Sequence, residues 1–195
     1  MDICFGLGYN TLATIYYIKK NNLNIKINIY SPEFDEKLVQ SLVNFQYPKE
    51  FKEFKHIVQS LSQKNTYKDE NINIQIFNGD AREYIENLYL TKDFRFDIIY
   101  QDAFSSEVNK SLWTVEYFKN IYKLLKNDAV LTTYSIATPI RLSLFESNFI
   151  IYEYKPDNSN RITIASNKKI VKENFKYIDM ELKKTRNTAA SALYD

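Results

Sequence analysis

Apolar residues along this chain fall into two alternating rhythms. Ile25, Ile27 and Ile29 alternate with polar neighbours, which predicts a strand over residues 25–30 that runs out at Ser31, Pro32 and Glu33. Leu12, Ile15 and Tyr16 are spaced for one helix face and predict a helix over 11–21. Leu38, Leu42 and Phe45 predict a second over 35–45, with Asp35 near its positive end. Phe51, Phe54, Val58 and Leu61 predict a third over 48–62, opened by Pro48. Shorter apolar runs predict strands over 2–5, 72–77, 96–101 and 129–134, with helices over 81–90, 114–125 and 139–145 between or after them. Residues 64–71 and 103–112 are polar loops, and 150–154 with 161–165 form a closing hairpin. Thr114 is a helix cap by residue type and position.

Strands alternating with helices specify an α/β fold with a mostly parallel, seven-stranded sheet and an antiparallel hairpin at one edge. The pattern runs unbroken over residues 1–166, one domain, and gives way to a basic tail over 167–195. Within that tail, residues 168–186 carry seven Lys or Arg against three Asp or Glu, as an amphipathic or mobile segment would.

Composition narrows the function classes only a little. The net charge of +2 comes from 26 basic and 24 acidic residues, too even to mark a nucleic-acid protein by itself. A single cysteine, Cys4, excludes an internal disulfide and a multi-cysteine zinc site, and it suits a reducing compartment such as the cytoplasm. One histidine, His56, argues against histidine-rich metal sites and serine–histidine chemistry, so no metal is expected. No run approaches the ~20 apolar residues of a membrane span.

Glycine changes the picture. The chain has three, and two of them, Gly6 and Gly8, share the turn between the first strand and the first helix. Such a turn aims helix N-terminal amides at a ligand and lets it approach the backbone closely. The alternative is an ordinary strand-to-helix turn. The third glycine, Gly79, precedes Asp80 at a strand end, Glu33 closes the second strand, and Asp102 follows the fourth. Ligands of open α/β sheets bind outside the carboxyl ends of the strands. An acid at the second strand end suits the two hydroxyls of a ribose, and Asp80 suits an exocyclic amine such as adenine's. Any one of these acids is more simply a helix cap; three of them and the glycine loop at four successive strand ends are harder to explain that way. Thr11 stands where a dinucleotide fingerprint has its third glycine, which disfavours a pyrophosphate. A nucleoside carrying a sulfonium, S-adenosyl-L-methionine, fits a cleft lined by Asp2, Asp102 and aromatic faces better.

At these residues the sequence resembles the methyltransferase domain of the MnmC-type enzymes that complete 5-methylaminomethyl-2-thiouridine at the tRNA wobble position, and its stand-alone relatives. The family's D-x-x-F-G-x-G-x-N loop is met by Asp2, Phe5, Gly6, Gly8 and Asn10. Its second-strand acid falls on Glu33, and its Gly-Asp-Ala on Gly79, Asp80 and Ala81. Its D-x-F-x-x-x-x-N-x-x-L/M-W-T stretch is met without a gap by Asp102, Phe104, Asn109, Leu112, Trp113 and Thr114. Its T-Y/F-T/S segment falls on Thr133, Tyr134 and Ser135, followed by Arg141, and an arginine of its K-R-E-M stretch on Arg161. Two departures stand out. Ser105 and Ser106 replace an alanine–proline pair, and Asn160, Ile162 and Thr163 surround Arg161 in place of the family's residues.

The resemblance implies a Rossmann-like class I methyltransferase using S-adenosyl-L-methionine, its first strand cropped because the family carries a segment before the glycine loop. It implies methyl transfer to the aminomethyl group of a modified wobble uridine in tRNA, with a separate oxidoreductase acting upstream in place of the bifunctional enzyme's oxidase domain. Asp102 would hold or deprotonate the amine. Asp2, Phe5, Gly6, Gly8, Asn10, Glu33, Gly79, Asp80 and Ala81 would hold the cofactor. Phe104, Asn109, Trp113, Tyr134, Arg141 and Arg161 would meet the substrate, the two aromatics Trp113 and Tyr134 by stacking and the arginines at phosphates. Core packing is the competing role for Trp113, and surface charge for the basic residues. Two other classes compete: a non-catalytic protein that keeps the pocket and binds RNA or a partner, and a small-molecule amine methyltransferase or aminopropyltransferase.

Overall fold

The computed structural model describes residues 1–91 and 94–195. The chain divides into two units, Met1–Tyr84 and Ile85–Asp195.

In the first unit the elements are β1 (Asp2–Ile3), α1 (Tyr9–Lys20), β2 (Ile27–Glu33), α2 (Glu36–Ser41), α3 (Lys55–Lys64), β3 (Thr66–Lys68), β4 (Ile72–Asn78) and the start of α4 (Ala81–Thr91). β2 and β4 are parallel, in a register running from Ile27 opposite Ile72 to Glu33 opposite Asn78. That register brings the end of β2 beside Gly79 and Asp80. β3 adds an antiparallel edge to β4. Every second residue of β4 (Ile72, Ile74, Ile76) is buried, against Leu12 and Ile15 of α1, Val39 of α2, and Ile57 and Leu61 of α3. β1 lies along β2: the amides of Cys4 and Phe5 both donate to the Pro32 carbonyl, and the Ser31 hydroxyl donates to the Asp2 carbonyl.

β1 is shorter than the predicted 2–5 because Cys4 already has φ 63°, which turns the chain out of the strand. The predicted helix over 35–45 ends at Ser41 and tightens into a short 3₁₀ turn over Leu42–Asn44; Phe45 is extended, and Pro48 follows. The predicted helix over 48–62 is a 3₁₀ segment over Lys49–Phe54 running into α3. β3 lies in the predicted polar loop, where three mostly exposed residues leave no apolar alternation to read.

The second unit holds the rest of α4, β5 (Phe96–Gln101), α5 (Val115–Lys123), β6 (Leu125–Thr133), α6 (Thr138–Glu146), β7 (Ile150–Tyr154), β8 (Ile162–Ser166), β9 (Phe175–Tyr177) and α7 (Met180–Arg186). β5 and β6 pair in parallel, and β6, β8, β7 and β9 continue in that order as antiparallel neighbours. Thr114 caps α5 through the Tyr117 amide, at 3.3 Å. Val115, Phe118 and Ile121 bury the inner stripe of α5, and Pro139 stands in the first turn of α6, where its missing N–H costs nothing. The parallel pairs and the antiparallel closing strands are the α/β architecture that the alternating pattern predicts, but the described residues hold nine strands in place of the seven expected, because β3 and β9 add short antiparallel edges.

Residues 167–195, expected as a basic tail, contain β9 and α7. Met180 and Ala192 are buried. The Val115 amide donates to the Leu193 carbonyl at 2.8 Å, and the Leu193 amide donates to the Ser143 hydroxyl at 2.8 Å. The last residues are thus held on α5 and α6. Among the described residues, no helix is long and apolar enough to cross a membrane.

Candidate functional site

The glycine loop is shaped by left-handed backbone and fastened by one carboxylate. Gly8 is the N-cap of α1 at φ 73°, and a Cβ there would stand 2.7 Å from the Phe5 ring. Only glycine satisfies both conditions without strain. Gly6 donates its amide to Glu33 Oε2 at 2.8 Å, while Asp35 donates its amide to Glu33 Oε1 at 2.9 Å. Glu33, 8% exposed, therefore ties the loop after β1 to the loop after β2. Each carboxylate oxygen has two acceptor sites, so each keeps one beyond its amide bond. Two acceptors side by side at a strand end match the paired hydroxyls of a ribose.

Tyr47 fastens the other flank, donating its hydroxyl to the Leu7 carbonyl at 2.9 Å. Burial, with a smaller contribution from Tyr9, pushes the Tyr47 phenol up to about 12, so it remains a donor at any physiological pH. Tyr9, Phe45, Tyr47 and Phe51 pack ring to ring around this point, with centroids 4.9–6.4 Å apart.

Asp80 follows β4. Its Oδ1 accepts the amides of Arg82 at 2.7 Å and Glu83 at 3.2 Å, capping α4. The cap predicted as its plainer role is present, and the second carboxylate oxygen still has acceptor capacity for an exocyclic amine. Gly79 donates its amide to the Glu33 carbonyl at 2.8 Å, which couples the two acidic strand ends through backbone. Phe77 stacks on Tyr84 beside them, with centroids 4.8 Å apart. The donors and acceptors present thus fit a nucleoside: two acceptors for a diol, one for an amine, and aromatic surface nearby.

The second unit contributes the loop after β5. Trp113 is fully buried, and its indole N–H donates to the Phe104 carbonyl at 2.7 Å. The Tyr134 hydroxyl donates to the Ala103 carbonyl at 3.0 Å. Trp113 and Tyr134 meet edge to face at 6.1 Å. Below the loop, Gln101 donates to the Leu112 carbonyl and accepts from the Tyr117 hydroxyl. These bonds hold the chain on both sides of Asp102 and leave Asp102 exposed, with the Phe104 ring 75% exposed beside it. Tyr134 is raised above the usual phenol range, first by partial burial and then by the charges of Asp102 and Glu107, which places the Asp102 carboxylate within electrostatic reach of its hydroxyl.

The predicted site residues divide accordingly. Gly6, Gly8, Glu33, Gly79 and Asp80 gather at the strand ends of the first unit. Asp2 is there too, but 1% exposed: its carboxylate accepts from Asn10 Nδ2 at 3.1 Å and Thr11 Oγ1 at 2.9 Å. Asp2 and Asn10 therefore brace the start of α1. Phe5 and Ala81 are buried packing. In the second unit Asp102, Phe104 and Tyr134 are all exposed. Asn109 sits in the loop turn, accepting from the Ser111 hydroxyl. Trp113 is not open to stacking, because its ring has no exposed face. Arg141, expected at a phosphate, is 2% exposed; it donates to Thr163 Oγ1 at 2.9 Å and to Glu153 Oε2 at 3.0 Å. Arg161 binds the other oxygen of Glu153, at 3.4 Å, and is exposed. His56 and Cys4 stay outside the site. Sequence reasoning missed Phe34, 81% exposed directly after Glu33, and the ring cluster at Tyr9. The adjacency of Phe34 to the strand-end acid was the available signal, hidden among the chain's thirteen phenylalanines and sixteen tyrosines.

Residues 37–169 match the model of a family described as S-adenosyl-L-methionine-dependent methyltransferase. The chain is 31% identical over 170 residues to an uncharacterized protein of Methanocaldococcus jannaschii, spanning 85% of this chain and 45% of that protein. It is 27% identical over 195 residues to the tRNA 5-methylaminomethyl-2-thiouridine biosynthesis bifunctional protein MnmC of Campylobacter fetus, spanning 87% of this chain and 29% of that one. The crystal structure of MnmC2 from Aquifex aeolicus superposes on the whole chain with a TM-score of 0.78 at 24% identity, over 60% of its own length. The chain thus spans less than half of either of these sequence relatives.

Proposed function

Because the chain belongs to the family of S-adenosyl-L-methionine-dependent methyltransferases, we propose that it methylates the primary aminomethyl group of a modified wobble uridine in tRNA. The observation that carries the substrate side of this reading is the loop after β5. Trp113 and Tyr134 hold the Phe104 and Ala103 carbonyls, directly after an exposed carboxylate, Asp102, and beside an exposed ring, Phe104. An exposed acid on a braced loop is suited to a cationic or amine acceptor, and an exposed aromatic beside it is suited to an unstacked base. The name of the Campylobacter fetus relative points to the same chemistry.

S-adenosyl-L-methionine, when bound, supplies a methyl group activated on a sulfonium. Glu33 would accept the ribose hydroxyls, Asp80 the adenine amine, and Phe34 would cover the adenine. Asp102 would accept a hydrogen bond from the acceptor nitrogen and take its proton, since an ammonium has no lone pair to attack with. Phe104 and Tyr134 would sandwich the uracil or its neighbour. Trp113 acts as a positioning residue through the Phe104 carbonyl. In this reading the protein works in the cytoplasm, and an oxidoreductase acting upstream exposes the amine.

The test is single-turnover methylation with isotopically labelled cofactor and tRNA from cells lacking the activity, followed by nucleoside analysis. Label in the methylaminomethyl uridine supports the reading. Label found only in a polyamine or other small amine would overturn it.

A further inference from the structure

Two arginines meet one carboxylate in the second unit, with a lysine within their electrostatic reach. Glu153 of β7 receives Arg141 from α6 on one oxygen at 3.0 Å and Arg161, just before β8, on the other at 3.4 Å. Lys183 of α7 lies near enough that both arginines act on it. It is held below the usual lysine range, first by burial and then by Arg141, with Glu153 opposing and Arg161 adding to the effect. Two guanidiniums share the one carboxylate, so this pairing keeps a net positive charge.

The three cations are not equivalent. Arg141 is 2% exposed and donates to Thr163 and Glu153. Arg161 is 55% exposed and engages Glu153 through Nη1, one of the three nitrogens that carry its five N–H donors. Glu153 thus acts as an anchor: it holds the Arg161 guanidinium in place from behind and leaves the outer edge to a ligand. Next to Arg161 in the chain, the β7–β8 turn forms an open recess of about 500 Å³ lined by Lys155, Asn158, Ser159 and Asn160. Its lining offers an ammonium, two amides and a hydroxyl. Asp157 is in the same turn but does not line the recess.

We propose that Arg161, Lys183 and the recess of the β7–β8 turn form a binding site for a phosphodiester of the RNA substrate, oriented by Glu153. An open, polar, donor-rich recess suits a backbone passing across it, whereas an enclosed pocket would suit a small phosphorylated molecule. The proposal rests on the tRNA reading above, and binding is measured apart from catalysis so that the two can fail separately.

The test is fluorescence anisotropy of the full chain with labelled tRNA between 50 and 200 mM salt, for the wild type, Arg161→Gln, Arg161→Gln with Lys183→Gln, and Lys168→Gln. Lys168 is an exposed control that pairs with Asp128, at 3.1 Å. Each lost phosphate contact should lower the slope of log K against log salt by roughly 0.7–0.9. The double variant should therefore lose roughly 1–2 in slope, with S-adenosylhomocysteine affinity and melting temperature unchanged. An unchanged slope overturns the site, as does an equal loss in Lys168→Gln or a wild type that does not bind tRNA. A wild type that binds tRNA with the expected dependence on Arg161 and Lys183 but methylates none of it leaves this site standing and overturns the catalytic reading.

Discussion

The glycine loop of the first unit and the Asp102 loop of the second solve the same problem by different means. Both must present backbone and acidic groups at a strand end without collapsing. The glycine loop does so through conformation: Cys4, Gly6 and Gly8 all have positive φ, and a single buried carboxylate, Glu33, accepts the Gly6 amide on one oxygen while its other oxygen accepts the Asp35 amide after β2. The Asp102 loop does so through side chains: an indole and a phenol, both from later elements, donate to the carbonyls of Ala103 and Phe104. The backbone shape of the glycine loop is specified locally by its own residues, although its fastenings, Glu33 and Tyr47, come from twenty-seven and forty residues away. A loop set by donors nine and thirty-one residues away is specified by the fold.

That contrast can be broken at several points. The largest expected effect is Asp102→Asn, which should cut methyl transfer by roughly 10²–10⁴-fold, the usual worth of a positioned acid–base group. Cofactor affinity should hold, and activity should partly return as pH rises, since more of the free amine is then neutral. Single-turnover rates across pH with parallel thermal melts check this. A drop in melting temperature with both ligands loosened would instead make Asp102 a structural brace of its loop.

Glu33→Ala should weaken cofactor binding by roughly 1–3 kcal/mol, because the amides of Gly6 and Asp35 lose their acceptor. Calorimetry with S-adenosylhomocysteine reads it directly, and unchanged affinity would reduce Glu33 to a loop tie. Gly8→Ala should destabilise the fold by roughly 1–3 kcal/mol, from the left-handed conformation and the close Phe5 ring; chemical denaturation measures it. Equal stability would show that the loop's shape does not depend on glycine.

Tyr134→Phe is the mildest. It removes one hydrogen bond to the Ala103 carbonyl, worth roughly 0.5–1.5 kcal/mol. The loss should fall on substrate KM and not on cofactor affinity, the reverse of Glu33→Ala. Steady-state kinetics of the two variants side by side sharpen the division between the loops.

Much of the first unit was legible from residue order alone. Gly6, Gly8 and Gly79 mark turns because only glycine adopts their backbone freely, and Glu33 and Asp80 mark strand ends because apolar alternation stops there. The register of β2 on β4 then puts those two acids side by side, as a parallel sheet must. The alternation of strand and helix was equally local, since period and length are properties of short windows. What the chain's order left open was decided by partners distant in sequence. Trp113 was equally consistent with a stacking wall and with core; packing against Phe118 and a bond to the Phe104 carbonyl put it in the core. Arg141 looked like a phosphate ligand until Glu153 and Thr163, twelve and twenty-two residues on, drew it inside. The basic run over 168–186 gave no sign that Met180 would be buried or that Leu193 would pair with Val115. Burial of a charged or amphipathic side chain depends on whether a compensating group is brought to it, and only the folded chain does that.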